Sequence, residues 1–180
     1  MDERALDLLE VWWAIGEEGW YSQSDETDAM LTERFGDLVK EARAGALGSW
    51  KDTPHTALAL LLLLDQLPRN IYRGTPEAFA SDTDAMQLAD YARANRFDMA
   101  YNGVARGFFY MPYMHCEDID AQNICCDIFR QIGNQNGYYY ALVHMDAIRR
   151  FGRFPHRNKI LGRISTPQED AYMASGGFSA

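Results

Sequence analysis

The amino-acid sequence predicts an all-α fold of about eight helices with no sheet. Thr-Pro helix-start signals recur, glycines follow the segments with helical periodicity, and no segment alternates polar and apolar residues over the length of a strand. With 180 residues, 47% of them hydrophobic, the chain is long enough to bury one core. We therefore expect a single helical domain over residues 1–180.

Capping chemistry sets the expected helix boundaries. Thr53, Thr75 and Thr166 each precede a proline, which places a capping hydroxyl before a residue suited to the first helical position. Glu169 follows Thr166 at the spacing of a capping box. The glycines expected to end helices are Gly45, Gly133 and Gly152.

The predicted helices follow one another with short connections, which favours antiparallel neighbours. Their expected positions are residues 3–15, 26–44, 54–66, 82–95, 103–110, 117–132 and 137–151, with a last helix from about 167. The second is amphipathic, with apolar residues from Met30 to Ala42 at helical spacing. The third is apolar on every side over residues 57–64, so we expect it at the buried centre.

Charge and cysteine content narrow the class of protein. The formal net charge of -9 argues against general binding to nucleic acid or to anionic membranes, which requires a broad basic face. The longest apolar run is too short to span a bilayer, and the acidic start MDERALDLLEVWW does not fit a signal peptide. Three cysteines, an odd number, are typical of reduced thiols and predict a cytoplasmic protein.

A basic stretch near the C-terminus is unexpected in so acidic a chain. Residues 149–163 contain six basic and no acidic side chains. Within them FPHRN, residues 154–158, is similar to LPRN, residues 67–70. Turn chemistry explains the shared proline, which is expected to end the preceding helix, and the shared asparagine. It does not explain the arginines.

Asp65 ends the apolar helix and needs a cation, because an unpaired buried charge is costly. One interpretation is a structural network of ion pairs that clamps two helix ends. The other is a polar pocket in which arginines left over from internal pairing bind an anionic ligand, since a guanidinium suits carboxylate or phosphate groups. The candidate ligand-binding residues are Asp65, Arg69, Asn70, Arg73, Arg153, Arg157 and Asn158.

Catalytic candidates are His115, Glu117 and His156. Histidine titrates near neutral pH, so His115 and Glu117 can form an acid–base pair. Glu117 also has a structural alternative, because acidic residues in a first helical turn complement the helix dipole. The histidines are scattered and no HExxH or paired Cys-x-x-Cys motif is present, so we expect neither a metal nor a cofactor. The one candidate set of metal ligands is His115, Glu117 and His156.

Long blocks of the sequence resemble a bacterial family, domain of unknown function nine-two-four. They are LLLLDQLPRNIYRGTPEAFASDTDAMQLA, FFYMPYMHCEDIDAQ and FGRFPHRNKILGRISTPQED, with a weaker block near the N-terminus. The resemblance implies a TPR-like array of antiparallel helices and carries no established activity, cofactor or catalytic residue. The chain departs from the family pattern at Cys116, where a serine is expected between His115 and Glu117.

Two functions of different class stay open. The first is a binding module that takes a small anionic ligand or a protein partner through the Arg/His/Asp cluster. The second is a small enzyme, for instance a hydrolase, that acts on an anionic metabolite with the His115–Glu117 pair. A scaffold should expose its groove, whereas a pocket protein should bury the polar cluster. We expect residues 151–158 to fold against residues 64–70, with His115 and Glu117 lining the same cavity.

Overall fold

The computed structural model describes residues 2–179. Within them, eight helices begin within two residues of the predicted starts, and two short ones, Leu67–Ile71 and Met111–His115, were not predicted. The helices are α1 (Glu3–Trp20), α2 (Asp25–Arg43), α3 (Pro54–Leu61), α4 (Leu67–Ile71), α5 (Asp82–Ala94), α6 (Gly103–Gly107), α7 (Met111–His115), α8 (Ile119–Gln131), α9 (Gln135–Phe151) and α10 (Pro167–Ala174). No strand is present within the described part of the chain. The prediction of an all-α fold is confirmed.

Local capping interactions follow the sequence signals. Thr166 and Glu169 form the predicted capping box at the start of α10, and the Thr53 side chain caps α3. Gly152 ends α9 in the left-handed conformation, with φ of 68°. Thr75 departs from the prediction, because it precedes a short 3-10 turn, Pro76–Phe79, and makes no side-chain cap.

The central helix does not stop at Pro68, so the prediction that this proline ends it is wrong. α3 continues through a π turn, Leu62–Gln66, directly into α4. Pro68 has no N–H to donate to the Leu64 carbonyl four residues earlier. The buried Ser81 hydroxyl donates to that carbonyl instead, at 2.7 Å. The widened turn and this outside donor let the helix pass through the proline.

The core is built around this helix, as the apolar run predicted. Every residue from 57 to 64 is buried. Side chains from α1, α2, α5, α7 and α8 belong to the same apolar cluster, and a smaller cluster joins the end of α9 to α10. Within residues 2–179, no helix has the length and apolar character required to cross a membrane.

Candidate functional site

A cavity of about 470 Å³ lies beside the central helix, where the π turn, α4, α7, α9 and the Pro155–Arg157 turn meet. Its lining combines cationic and polar groups with a larger apolar surface. The polar side chains include Gln66, Arg69, Asn70, Arg73, His115, His144, His156 and Arg157. The apolar ones include Trp20, Phe79, Met111, Met114, Phe129 and Phe178.

Two carboxylates hold the polar side of the cavity together. Asp65 is almost fully buried in the π turn and accepts a hydrogen bond from Nδ1 of His115 at 2.7 Å. Its Oδ1 also lies 3.2 Å from Nη2 of Arg69. Asp82, at the start of α5, bonds Arg69 through one oxygen and Arg157 through the other, each at 3.1 Å. Burial opposes the ionisation of Asp65, but His115 and Arg69 hold its pKa below the usual value.

Arg157 is the most deeply buried cation of the site, with 6% of its surface exposed. Its guanidinium lies between the rings of Phe79 and Phe154, 4.5 and 4.6 Å from their centroids. Nη2 donates to the His115 carbonyl, whereas Nε is buried with no hydrogen-bond partner among the described residues. Burial and the nearby Arg69 lower the pKa of Arg157 to about 10. Its positive charge is therefore incompletely compensated by the protein.

Three histidines line the same cavity and are kept neutral at pH 7. Burial, with the nearby Arg69, lowers the pKa of His115 despite its bond to Asp65. Nδ1 of His144 lies 2.8 Å from the Tyr140 carbonyl, and burial lowers the pKa of His144 to about 3. Burial lowers the pKa of His156 to about 4, and its Nδ1 has no partner among residues 2–179. The rings of His115 and His144 lie 6.0 Å apart.

The structure brings most of the predicted ligand-binding residues together. Arg69, Asn70, Arg73 and Arg157 line the cavity, and Asp65 lies behind His115. The two segments that contain the Arg-Asn pairs therefore meet, as expected from their similarity.

Two of the predicted ligand-binding residues lie elsewhere. Arg153 pairs with the buried Glu169 at 2.6 Å, and the Asn158 amide donates to Ser165 at 3.1 Å. Neither side chain lines the cavity. Arg153 attaches the basic stretch to α10, whereas Asn158 attaches it to the loop before this helix.

The expected pair between His115 and Glu117 does not form. Glu117 accepts from both terminal nitrogens of Arg163, at 2.7 and 2.9 Å, and from the Phe154 backbone at 2.7 Å. It does not line the cavity, and the carboxylate bonded to His115 is Asp65. Among the residues described, no three His, Cys, Asp or Glu side chains are placed to hold a metal ion, which includes the set of His115, Glu117 and His156.

Few arginines are left over from internal pairing, because carboxylates other than Asp65 pair with most of them. The pairs are Arg73 with Asp28, Arg150 with Asp146, Arg153 with Glu169, Arg157 with Asp82 and Arg163 with Glu117. Sequence reasoning missed Asp82 and His144 as parts of the site. The one available signal was the position of Asp82 at the start of a predicted helix.

Comparisons with known proteins agree with the fold and add no activity. Residues 8–177 match the family model DUF924, described as a bacterial protein of unknown function. The chain belongs to this family. Its structure is similar to that of the protein of unknown function ATU0120 from Agrobacterium tumefaciens, with a TM-score of 0.92 and 40% identity over 96% of this chain and 97% of that one. The comparison with curated proteins found no match.

Proposed function

We propose that this DUF924 protein binds a small organic acid in the cavity, with the carboxylate of the ligand beside Arg157. The observation that carries the proposal is the state of Arg157. A buried guanidinium with a lowered pKa lines a cavity large enough for a small molecule. An anionic ligand in the cavity would stabilise the charge of this guanidinium.

The rest of the lining fits the same class of ligand. Arg69, Arg73 and Asn70 add polar groups to the lining, while Phe79, Met114 and Phe178 supply an apolar wall. Small-molecule sites commonly combine such an apolar wall with a few polar groups that fix orientation. A carboxylic acid with a short aliphatic or aromatic body has both features.

A protein partner is the alternative that the TPR-like array implied by the family resemblance suggests by analogy. Burial favours the small ligand over a groove for a partner chain. Asp65, Asn70 and Arg157 are all less than a tenth exposed. Because such side chains are reached from within a cavity and not across an open surface, we favour the pocket.

The proposal includes a cytoplasmic location. Cys116, Cys125 and Cys126 are all free thiols, and two of them are buried. Free thiols are typical of proteins kept in a reducing compartment.

Thermal unfolding with acetate, butyrate, benzoate and inorganic phosphate as probes tests the proposal. At ten times its dissociation constant a ligand adds about 1.4 kcal/mol to the free energy of unfolding, which raises Tm by roughly 3–6 °C for a chain of this size. We expect this rise with butyrate or benzoate, and we expect Arg157→Gln to remove it.

The matched control is Arg106→Gln. Arg106 also pairs with a buried aspartate, Asp98, at 2.7 Å, but it does not line the cavity. Its variant should lose stability and keep the ligand response. A wild-type Tm that none of the four probes raises, or a response that survives in Arg157→Gln, would contradict the proposal.

A further inference from the structure

We propose that the cavity hydrolyses small carboxylic esters, with Nε2 of His115 as the general base that activates water. The inference rests on the proposed function, since the acid released by such a reaction is the ligand class assigned to the cavity. It starts from the orientation of one imidazole. The buried Asp65 carboxylate fixes Nδ1 of His115 at 2.7 Å. Nδ1 therefore carries the proton, and Nε2 keeps its lone pair.

Nε2 of His115 is available to a bound molecule. His115 lines the cavity with 14% of its side chain exposed, and no residue in the described range hydrogen-bonds this atom. Asp65 is a positioning residue here, because it touches the imidazole and not the cavity. A buried carboxylate on one ring nitrogen both selects the tautomer and stabilises the imidazolium that forms when the other nitrogen takes a proton.

The nucleophile in this scheme is water. Cys116, Cys125 and Cys126 do not line the cavity, and burial raises the pKa of each thiol. Within residues 2–179, no serine or threonine hydroxyl is bonded to His115. A histidine without an adjacent nucleophile can still act by removing a proton from water.

The charges around the imidazole come from each element packed on it. Asp65 and Arg69 lie on the central helix, Asp82 starts α5, His144 lies on α9 and Arg157 bonds the His115 carbonyl. The negative charges of Asp65 and Asp82 balance the positive charges of Arg69 and Arg157. The imidazole of His115 is therefore the group whose charge changes near neutral pH. Because its pKa lies below 6.5, its basic form predominates at neutral pH.

The reaction balances without a co-reactant. His115 Nε2 takes one proton from water while the water oxygen bonds to the ester carbonyl carbon. The bond from that carbon to the leaving oxygen then breaks, and the leaving oxygen takes the proton back from Nε2. The products are a carboxylic acid and an alcohol, and the carboxylate formed lies within the cavity that Arg157 lines. A carboxylic ester fits better than an amide, because an alkoxide leaves more easily than an amide nitrogen, so activation of water by a weakly basic imidazole is sufficient.

Release of p-nitrophenolate from p-nitrophenyl acetate and p-nitrophenyl butyrate at pH 7.5 tests the inference. We expect the wild type to turn over both esters and His115→Gln to lower kcat about a hundredfold. His55→Gln is the matched control, since His55 contacts Tyr101 and does not line the cavity. Its rate should equal that of the wild type. Asp65→Asn should lower kcat and leave KM nearly unchanged, provided that its circular dichroism and melting remain native-like.

The wild-type pH profile supplies a second readout that a structural role would not produce. The rate should rise with pH through a single pKa below 6.5 and then level off, and it should fall about twofold in heavy water because a proton moves in the rate-limiting step. Equal rates for wild type and His115→Gln overturn the inference, whether or not Asp65→Asn folds. If carboxylates still raise Tm in that case, the binding function stands alone. If hydrolysis depends on His115 but carboxylates do not raise Tm, the role of His115 as a general base is supported and the proposed carboxylate-binding site is overturned. If neither occurs, both proposals are overturned.

Discussion

At the scale of single residues, the histidines of the cavity make stability depend on pH. Burial holds the pKa of His144 near 3 and that of His156 near 4, against 6.5 for an exposed histidine. Between pH 6.5 and 4 the unfolded chain therefore binds protons at these positions that the native protein does not. With respect to these two histidines, the free energy of unfolding is therefore highest above pH 6.5. It falls as the pH decreases toward their native pKa values.

We expect the free energy of unfolding, measured with urea, to fall between pH 7.5 and pH 5. Each buried histidine contributes up to about 1.4 kcal/mol per pH unit below its unfolded pKa. The pKa values of Asp65, Glu117 and Glu169 are lowered, so these carboxylates stay ionised in the native protein over this window. His144→Gln should have a clearly smaller pH dependence than the wild type. A wild-type slope in His144→Gln would contradict the assignment.

At the scale of secondary-structure elements, the passage of the central helix through Pro68 positions the site. The π turn carries Asp65 and Gln66, and the Ser81 hydroxyl satisfies the carbonyl that the proline leaves without a donor. Ser81 immediately precedes Asp82, so this hydrogen bond also fixes the carboxylate that holds Arg69 and Arg157. An irregular turn in a helix commonly accompanies a functional site.

Removal of this hydroxyl should destabilise the fold. Ser81→Ala leaves the buried Leu64 carbonyl without a donor, and we expect it to lower the free energy of unfolding by about 1–3 kcal/mol. The control is Ser22→Ala, because the Ser22 hydroxyl is exposed and bonds a backbone carbonyl of its own helix end. It should change stability by less than about 0.5 kcal/mol. Equal effects of the two substitutions in urea unfolding would show that Ser81 does not support the π turn.

At the scale of the whole molecule, what could be predicted from sequence depends on how far apart the interacting residues are. The capping box of Thr166 and Glu169 spans three residues, and the pair of Asp65 and Arg69 spans four, so sequence patterns indicate both. Arg157 and Asp82 are 75 residues apart, and no local pattern links them. The apolar run of residues 57–64 is also continuous in the sequence, so it predicted the buried helix.

The partner of His115 illustrates the limit. Glu117 is close to it in sequence and points to Arg163, whereas Asp65, 50 residues away, makes the bond. The π turn could not be predicted from the sequence either, because it depends on Ser81 packing against the central helix. Clustering of the two arginine-containing segments could be predicted from their similarity. The choice of carboxylate partners could not, since packing of the complete chain decides it.

The measurement that tests the central claim most directly is a titration of the protein with benzoate, followed by NMR of the histidine side-chain nitrogens. The chain has four histidines, of which three line the cavity and His55 does not. At pH 7 we expect His115 to be neutral with its proton on Nδ1. The signals of His115, His144 and His156 should shift and saturate together as benzoate is added, while the His55 signal stays in place. A protonated His115, three cavity signals that do not respond, or a His55 signal that shifts as much as the others would contradict the account.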